Sequence, residues 1–244
     1  MALAIKRIGE LAMLAGILVD HGDATARPWL ELCWQWFDHG AALARVTAEQ
    51  PAFAAIYPSF HRHALRSEEV ERAIAGALPA VVDPALRLLV ASALAWCDLT
   101  SPWDLDGLLE ESWLASEPAT GLIDTRAAYV TTHVVLFLAP ISRLGERHRG
   151  YVSRSLPAWI AHFARAGDLD LVGEMILIAH VLGQCVPECE WSVLADAQED
   201  DGLVPFRAAW RGRSVPPRTR FRANYHSTLV ALGAAGMCNA LCSR

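Results

Sequence analysis

Apolar residues recur at offsets of three and four along most of this chain, which is the spacing of one face of an α-helix. Trp29, Cys33 and Trp36 show this spacing in an aromatic-rich segment, and no convincing alternation of apolar and polar residues indicates a strand. Asp83-Pro84 predicts a helix start, because Asp can cap the first turn and Pro needs no amide donor there. The pattern predicts a single all-α domain over residues 1–244, with about ten or eleven helices packed as hairpins.

Composition limits the classes of partner. Hydrophobic residues make up 53% of the chain and charged residues 20%, which fits a helical globule and excludes disorder. The net charge is −6, Lys6 is the only lysine, and the arginines are interleaved with acids. Since nucleic-acid binding needs clustered positive charge, we predict no nucleic-acid partner. The preference for Arg over Lys and the abundance of Ala are typical of a high-GC bacterial genome.

Two apolar stretches could be mistaken for targeting or membrane segments. Residues 11–19 precede an A-x-A sequence at 24–26, but Glu10 interrupts the start of the run and Asp20 follows it, so an amphipathic first helix is favoured over a signal peptide. Residues 169–186 contain Glu174, and an uncompensated carboxylate is costly in a bilayer. We predict a buried helix there, no membrane partner and a cytoplasmic protein.

The six cysteines do not form the pattern of a disulfide framework. Cys185 and Cys189 are four residues apart, as are Cys238 and Cys242. Small apolar packing of free thiols is the favoured interpretation, and a four-thiolate zinc site is the alternative.

Glycines, prolines and five arginines between residues 200 and 220 predict a long exposed loop, followed by a last helix from about Phe221. A loop of this length in a compact domain is disordered or functional, for example a lid.

Residues 198–202, Gln-Glu-Asp-Asp-Gly, are similar to the Q-x-x-D-G turn of terpenoid cyclases and other α/α-toroid proteins, which include the protein prenyltransferases. In that superfamily the Gln and Asp side chains bond backbone groups left unpaired where two helices meet. Val204 stands where the family usually has Trp or Phe. Residues 129–133, 170–174 and 224–232 resemble uncharacterised toroid-like proteins found near natural-product pathways of high-GC bacteria. The resemblance implies helical hairpins in a complete or partial α/α toroid with a central cavity.

The residues that define the characterised toroid enzymes are absent from the sequence. It contains no D-x-D-D acid of squalene-type cyclases and no D-D-x-x-D metal-binding run. The Cys/Cys-His zinc set of lanthionine cyclases is not apparent either. A terpene or thioether cyclase would therefore need other residues.

The candidate catalytic residues are Tyr129, His133, Glu174, Tyr225 and His226. His133 follows Tyr129 by four residues on an apolar helix, Glu174 lies on a helix predicted to be buried, and His226 opens the last helix. If toroid helices converge on one cavity, His133, Glu174 and His226 can bind a divalent metal, iron or zinc, and leave open positions on it. Metal-free acid–base chemistry and purely structural roles are the alternatives.

Two functions follow from this interpretation. The first is an enzyme of bacterial specialised metabolism that acts on a small, largely apolar molecule in a helical cavity, with the Arg-rich loop as a lid or an anion clamp. The alternative is a non-catalytic accessory protein that docks another biosynthetic protein through a helical surface. The sequence leaves the oligomeric state open.

Overall fold

The chain is all-α. The computed structural model describes residues 2–115 and 123–242, and these contain twelve α-helices joined by turns and short 3₁₀ segments, with one isolated β-bridge and no strand. The helices are α1 Ala2–Asp20, α2 Arg27–Trp36, α3 Ala41–Glu49, α4 Tyr57–His61, α5 Glu68–Ala77, α6 Pro84–Trp96, α7 Leu105–Glu111, α8 Thr125–Leu138, α9 Glu146–Arg165, α10 Leu169–Val181, α11 Glu188–Ala197 and α12 Pro217–Cys242.

The chain forms two compact units. The first consists of Met1–Ala115 and Leu136–Arg143, and the second of Ser116–Val135 and Leu144–Arg244. The single domain expected over residues 1–244 stays a prediction.

The first unit is built on an aromatic core. α1 packs against α2 and α4, and α3 packs against α5. The ring of Phe60 lies 4.9 Å from that of Trp34 and 5.6 Å from that of Phe37. Asp83 caps α6 by accepting a hydrogen bond from the Ala85 amide, at 2.9 Å, and Pro84 is the first helical residue. The predicted helix start is therefore confirmed.

The second unit is organised around α10. Every residue from Leu169 to His180 is buried, and α10 packs against α9, α11 and α12. Gly173 permits the close approach of α12, because a Cβ atom at that position would lie 3.1 Å from Val230 Cγ1. The buried helix predicted for this segment is confirmed. Across the described part of the chain, no helix combines the length and the apolar character needed to cross a membrane.

The segment between α11 and α12 is shorter and more ordered than predicted. A turn at Gly202, where φ is +84°, is followed by a 3₁₀ helix at Ala208–Trp210. α12 begins at Pro217 rather than near Phe221, because a proline at the first helical position loses no hydrogen bond.

The side chains of the turn at residues 198–202 bond its backbone, as the motif predicts. The Gln198 amide donates to the Gly202 carbonyl at 3.0 Å, and Asp201 accepts from the Leu203 amide at 3.3 Å. Arg220 of α12 pairs with Glu199 and Asp201, so the turn is tied to the first turns of the last helix.

Candidate functional site

Three helices of the second unit bring polar side chains to one place. α8 supplies Tyr129, Thr132 and His133, α10 supplies Asp170 and Glu174, and α12 supplies His226. Residues four apart on a helix share a face, which is why Tyr129 with His133 and Asp170 with Glu174 both act toward the same cluster. We call these six residues the polar cluster.

Asp170 holds the imidazole of His226. Its Oδ1 lies 2.7 Å from His226 Nδ1, and its Oδ2 accepts a hydrogen bond from the Tyr129 hydroxyl at 2.6 Å. Asp170 is buried and lies in the first turn of α10, where the helix dipole favours a negative charge. An ionised Asp170 therefore fixes the proton of neutral His226 on Nδ1 and leaves the lone pair on Nε2.

Glu174 is the most deeply buried ionisable group of the cluster, with 2% of its surface exposed. Its Oε2 accepts a hydrogen bond from the Thr132 hydroxyl, and its Oε1 lies 3.6 Å from His226 Nε2. Burial raises the pKa of the Glu174 carboxyl, and the neighbouring His133 and His226, when protonated, oppose that rise. Burial also raises the pKa of the Tyr129 hydroxyl, and the neighbouring Asp170 adds to the effect. Tyr129 is therefore a hydrogen-bond donor at neutral pH.

His133 also has one ring nitrogen fixed by its own helix. Nδ1 lies 2.8 Å from the Tyr129 carbonyl oxygen, which can only accept, so Nδ1 carries a proton. In this tautomer Nε2 is the ring nitrogen that can accept a proton or a metal. The influence of His133 on the Glu174 pKa shows that the two side chains are electrostatic neighbours.

A proton on either residue, or a metal ion between them, can join Glu174 and His226. Nε2 of neutral His226 and Oε1 of an ionised Glu174 both present lone pairs, and they face each other at 3.6 Å. That separation exceeds the 2.7–3.2 Å of an ordinary N–H···O hydrogen bond. Two ligands of one tetrahedral zinc, each about 2.1 Å from the metal, lie about 3.4 Å apart. The observed 3.6 Å is close to the spacing of two ligands of one ion, and it also falls within the 4 Å of an ion pair with a protonated His226.

Asp170, Glu174 and His226 form a group that can hold a metal ion. One potential ligand atom from each lies within 4.8 Å of those of the other two. Of the three predicted metal ligands, Glu174 and His226 belong to this group, and His133 adjoins it through Glu174. The His226 side of this group is the more exposed one, because its side chain is 21% exposed and Glu174 is buried.

Tyr225, which was also predicted to be catalytic, lies next to the polar cluster and not within it. It is buried, and its ring lies 5.9 Å from that of Phe221 and 6.3 Å from that of His226. The contact with His226 is made by neighbouring residues on one helix. The catalytic role expected for Tyr225 stays a prediction.

Sequence reasoning missed two members of the cluster. An acid beside the start of a helix ordinarily caps it, but the cap of α10 is Asp168, which accepts from the Leu171 amide at 3.4 Å. The signal for Asp170 was its spacing of four residues from Glu174 on an otherwise apolar helix. Thr132 carried no signal, because threonine in a helix usually bonds its own backbone.

Three of the five arginines between residues 200 and 220 are engaged with the protein. Arg207 pairs with Asp168 at 2.6 Å, Arg220 pairs with the acids of the turn at 198–202, and Arg213 lies over the ring of Trp210. The lid or anion clamp expected for this loop stays a prediction.

The cysteines divide into two groups. Cys33 and Cys97 are buried free thiols, as the packing interpretation predicts. Cys185 and Cys189 are exposed, which contradicts it, because both lie around the start of α11 at the surface. Cys238 is half-buried, and the side chain of Cys242 lies outside the described residues.

Comparison with known proteins gives a family and no function. Neither the curated proteins nor the solved structures include a match to this chain. Residues 2–236 match a protein family described as a domain of unknown function, DUF6895, so that the match covers most of both units and all six residues of the polar cluster. The chain belongs to the DUF6895 family.

Proposed function

We propose that this protein is a metal-dependent enzyme whose divalent ion, iron(II) or zinc, is bound by Glu174, His226 and His133. One observation carries the proposal: His226 Nε2 and Glu174 Oε1 face each other across 3.6 Å, a spacing suited to two ligands of one ion. His133, whose Nδ1 is bonded to the Tyr129 carbonyl, would bind the ion through Nε2.

Asp170 acts in this proposal from the outer shell of the metal. Its Oδ1 bonds His226 Nδ1 and its Oδ2 bonds the Tyr129 hydroxyl, so both oxygens are already used. A carboxylate on the far nitrogen of a ligating histidine fixes the ring and raises its basicity. The arrangement of Asp170, His226 and metal is of this type.

Two imidazoles and one carboxylate leave open positions on the ion, where substrate or water can bind. The bound metal would supply Lewis acidity or bind a small reactant. Tyr129, whose hydroxyl donates to Asp170, is a neutral donor linked to His226 through that carboxylate. The substrate class, a small and largely apolar molecule, and the setting in bacterial specialised metabolism rest on the sequence resemblance and form part of the proposal.

Metal-free acid–base chemistry is the second candidate, and the burial of Glu174 favours it. Burial raises the pKa of this carboxyl, so it can hold a proton that Nε2 of His226 accepts. The same residues would then exchange a proton with a substrate instead of binding an ion.

Metal analysis separates the candidates. Protein purified without chelators and without a metal-binding affinity tag should contain close to one iron or zinc per chain. Chelation should remove this metal. Matched samples of Glu174→Gln should lack it, whereas Glu188→Gln, an exposed acid on α11, should retain it. Wild-type protein that takes up neither ion, even when reconstituted, would refute the metal proposal. A non-catalytic docking protein becomes the better account if the cluster also binds no small molecule.

A further inference from the structure

One short segment crosses the start of α10 and bonds directly to the polar cluster. Residues 203–208 follow the turn at Gly202, and we call them the strap. The Leu169 and Asp170 amides donate to the Phe206 carbonyl at 3.2 and 3.4 Å, and the Ala208 amide donates to the Gly167 carbonyl at 2.9 Å. The strap therefore holds the backbone of Asp170, which in turn holds His226.

The strap is bonded to α12 on both sides of His226. The Phe206 amide donates to Asn224 Oδ1 at 3.3 Å, and the Val204 amide donates to Thr228 Oγ1 at 3.0 Å. The Ser227 hydroxyl donates to the Val204 carbonyl at 2.7 Å. Because one segment bonds the backbone next to Asp170 and the side chains that flank His226, it fixes the distance between these two residues.

An ion pair fastens the strap to α10. Arg207 Nη1 lies 2.6 Å from Asp168 Oδ2, and only 1% of Asp168 is exposed, whereas the Arg207 side chain is 40% exposed. Asp168 and Arg207 also form the isolated β-bridge. Gly167, at φ +68°, allows the approach, since a Cβ there would lie 3.3 Å from that of Ala208. Removing Arg207 would leave a buried carboxylate without its cation, which is costly.

We propose that Arg207 is a positioning residue for the Asp170–His226 pair. It acts through Asp168 and the strap and does not itself touch the metal or the substrate. The inference deepens the proposed function and rests on it for its metal readout. For Arg207 it is an alternative to the anion clamp expected for the Arg-rich loop, because the Asp168 carboxylate already occupies the Arg207 guanidinium.

The test compares Arg207→Ala with Arg207→Lys, which keeps the positive charge, and with Arg218→Ala, which removes an exposed arginine from the first turn of α12. Cobalt(II) is the probe, and its affinity and visible absorption spectrum report the ligand geometry. Arg207→Ala should weaken cobalt binding about 10–100-fold, the usual cost of disturbing an outer-shell partner, and should alter the spectrum. Arg207→Lys should recover most of the affinity, and Arg218→Ala should match the wild type.

A second readout needs no metal. Nitrogen-15 NMR of the metal-free protein reports which nitrogen of His226 carries the proton. The wild type should show the Nδ1–H form that Asp170 imposes, and Arg207→Ala should show a mixture of the two forms. If Arg207→Ala does not fold, Asn224→Ala, which removes a single strap hydrogen bond, should give the same shift.

Failure of this inference differs from failure of the proposed function. If wild-type protein binds no cobalt, the metal proposal fails, and the tautomer measurement still tests the role of Arg207. If Arg207→Ala lowers stability but leaves the cobalt affinity, the spectrum and the His226 tautomer unchanged, Arg207 is only a structural tie and the inference is overturned.

Discussion

Replacing Glu174 with glutamine tests whether this residue serves a metal site or only stabilises the fold. The amide has nearly the same volume as the carboxyl group, and its oxygen can still accept the hydrogen bond from Thr132. In the wild type, Glu174 Oε1 lies 3.6 Å from His226 Nε2. After a small adjustment, the NH₂ group of the glutamine can donate a hydrogen bond to that nitrogen. The substitution therefore removes the negative charge and preserves the packing.

The two interpretations predict stability changes of different size. Burial raises the Glu174 pKa, so the ionised carboxylate is not favoured by the metal-free fold. If Glu174 is a metal ligand, Glu174→Gln should change the metal-free unfolding free energy by less than about 1 kcal/mol, or roughly 2–4 °C in Tm. If Glu174 balances a buried cation in a structural ion pair, its loss should cost about 3–5 kcal/mol.

If Glu174 is a metal ligand, its replacement should change the metal affinity much more than the stability of the metal-free fold. An amide is a neutral and weak ligand, and loss of an outer-shell partner alone weakens binding about 10–100-fold. Loss of the Glu174 carboxylate should therefore weaken zinc or iron(II) binding by more than about 100-fold. In holo samples this loss appears as a lower Tm, because a ligand that binds only the folded state stabilises it.

The assay measures Tm by circular dichroism, with and without chelator, and metal content by elemental analysis. Glu188→Gln is the matched control, because it makes the same chemical change at an exposed position in the same unit. A large loss of stability in Glu174→Gln, with unchanged metal content and affinity, would remove Glu174 from the site and refute the reasoning.

Three further predictions test the site and its packing. Asp170→Asn should weaken metal binding about 10–100-fold, less than Glu174→Gln, in a competition assay with a chromophoric chelator. Because the folded-state pKa of Glu174 is raised above 4.5, the metal-free fold binds this proton more tightly than the unfolded chain. Urea unfolding should therefore show this contribution intact below pH 4.5 and lost as pH rises through the folded-state pKa, and Glu174→Gln should lack that loss. Gly173→Ala should destabilise the protein by about 1–3 kcal/mol, because its Cβ would press on the buried, rotamer-restricted Val230. Gly76→Ala is the control: no atom lies near the new methyl group, so it should stabilise α5 by about 0.5–1 kcal/mol in the same assay. A neutral or stabilising Gly173→Ala would show that α10 and α12 are less tightly packed than the structure indicates.

Helices could be predicted from this sequence because local signals agree with the tertiary structure. The Asp83-Pro84 start depends on a capping carboxylate and on a missing amide, both properties of adjacent residues. The buried α10 was predictable because one element contains a long apolar run. Helix boundaries were harder to predict where a residue suits both a loop and a helix start. Pro217 is such a residue, because proline is common in loops and also at the first helical position.

The toroid stays a prediction, although the second unit has one property that it requires. Tyr129 faces Asp170 and Thr132 faces Glu174, so contacts advance in the same direction along α8 and α10. His226 contacts Asp170, and Val230 lies against Gly173, so α12 also runs in this direction. Alternate helices of this unit are therefore parallel, as successive inner helices of a toroid must be.

The site was only partly predictable, because an acid in the first turn of a helix has two ordinary explanations. At Asp168 the capping explanation is right, and at Asp170, two residues later, it is wrong, because a 2.7 Å contact with His226 and a 2.6 Å contact with Tyr129 use both carboxylate oxygens. Asp170 is 56 residues from His226 and 41 residues from Tyr129 in the sequence, so no local pattern connects them. The strap bonds both helices beside this meeting point, through Phe206 to the start of α10 and to Asn224 of α12. The register of α10 against α12, and not the identity of any single residue, therefore decides whether the predicted histidine and glutamate can share one ion.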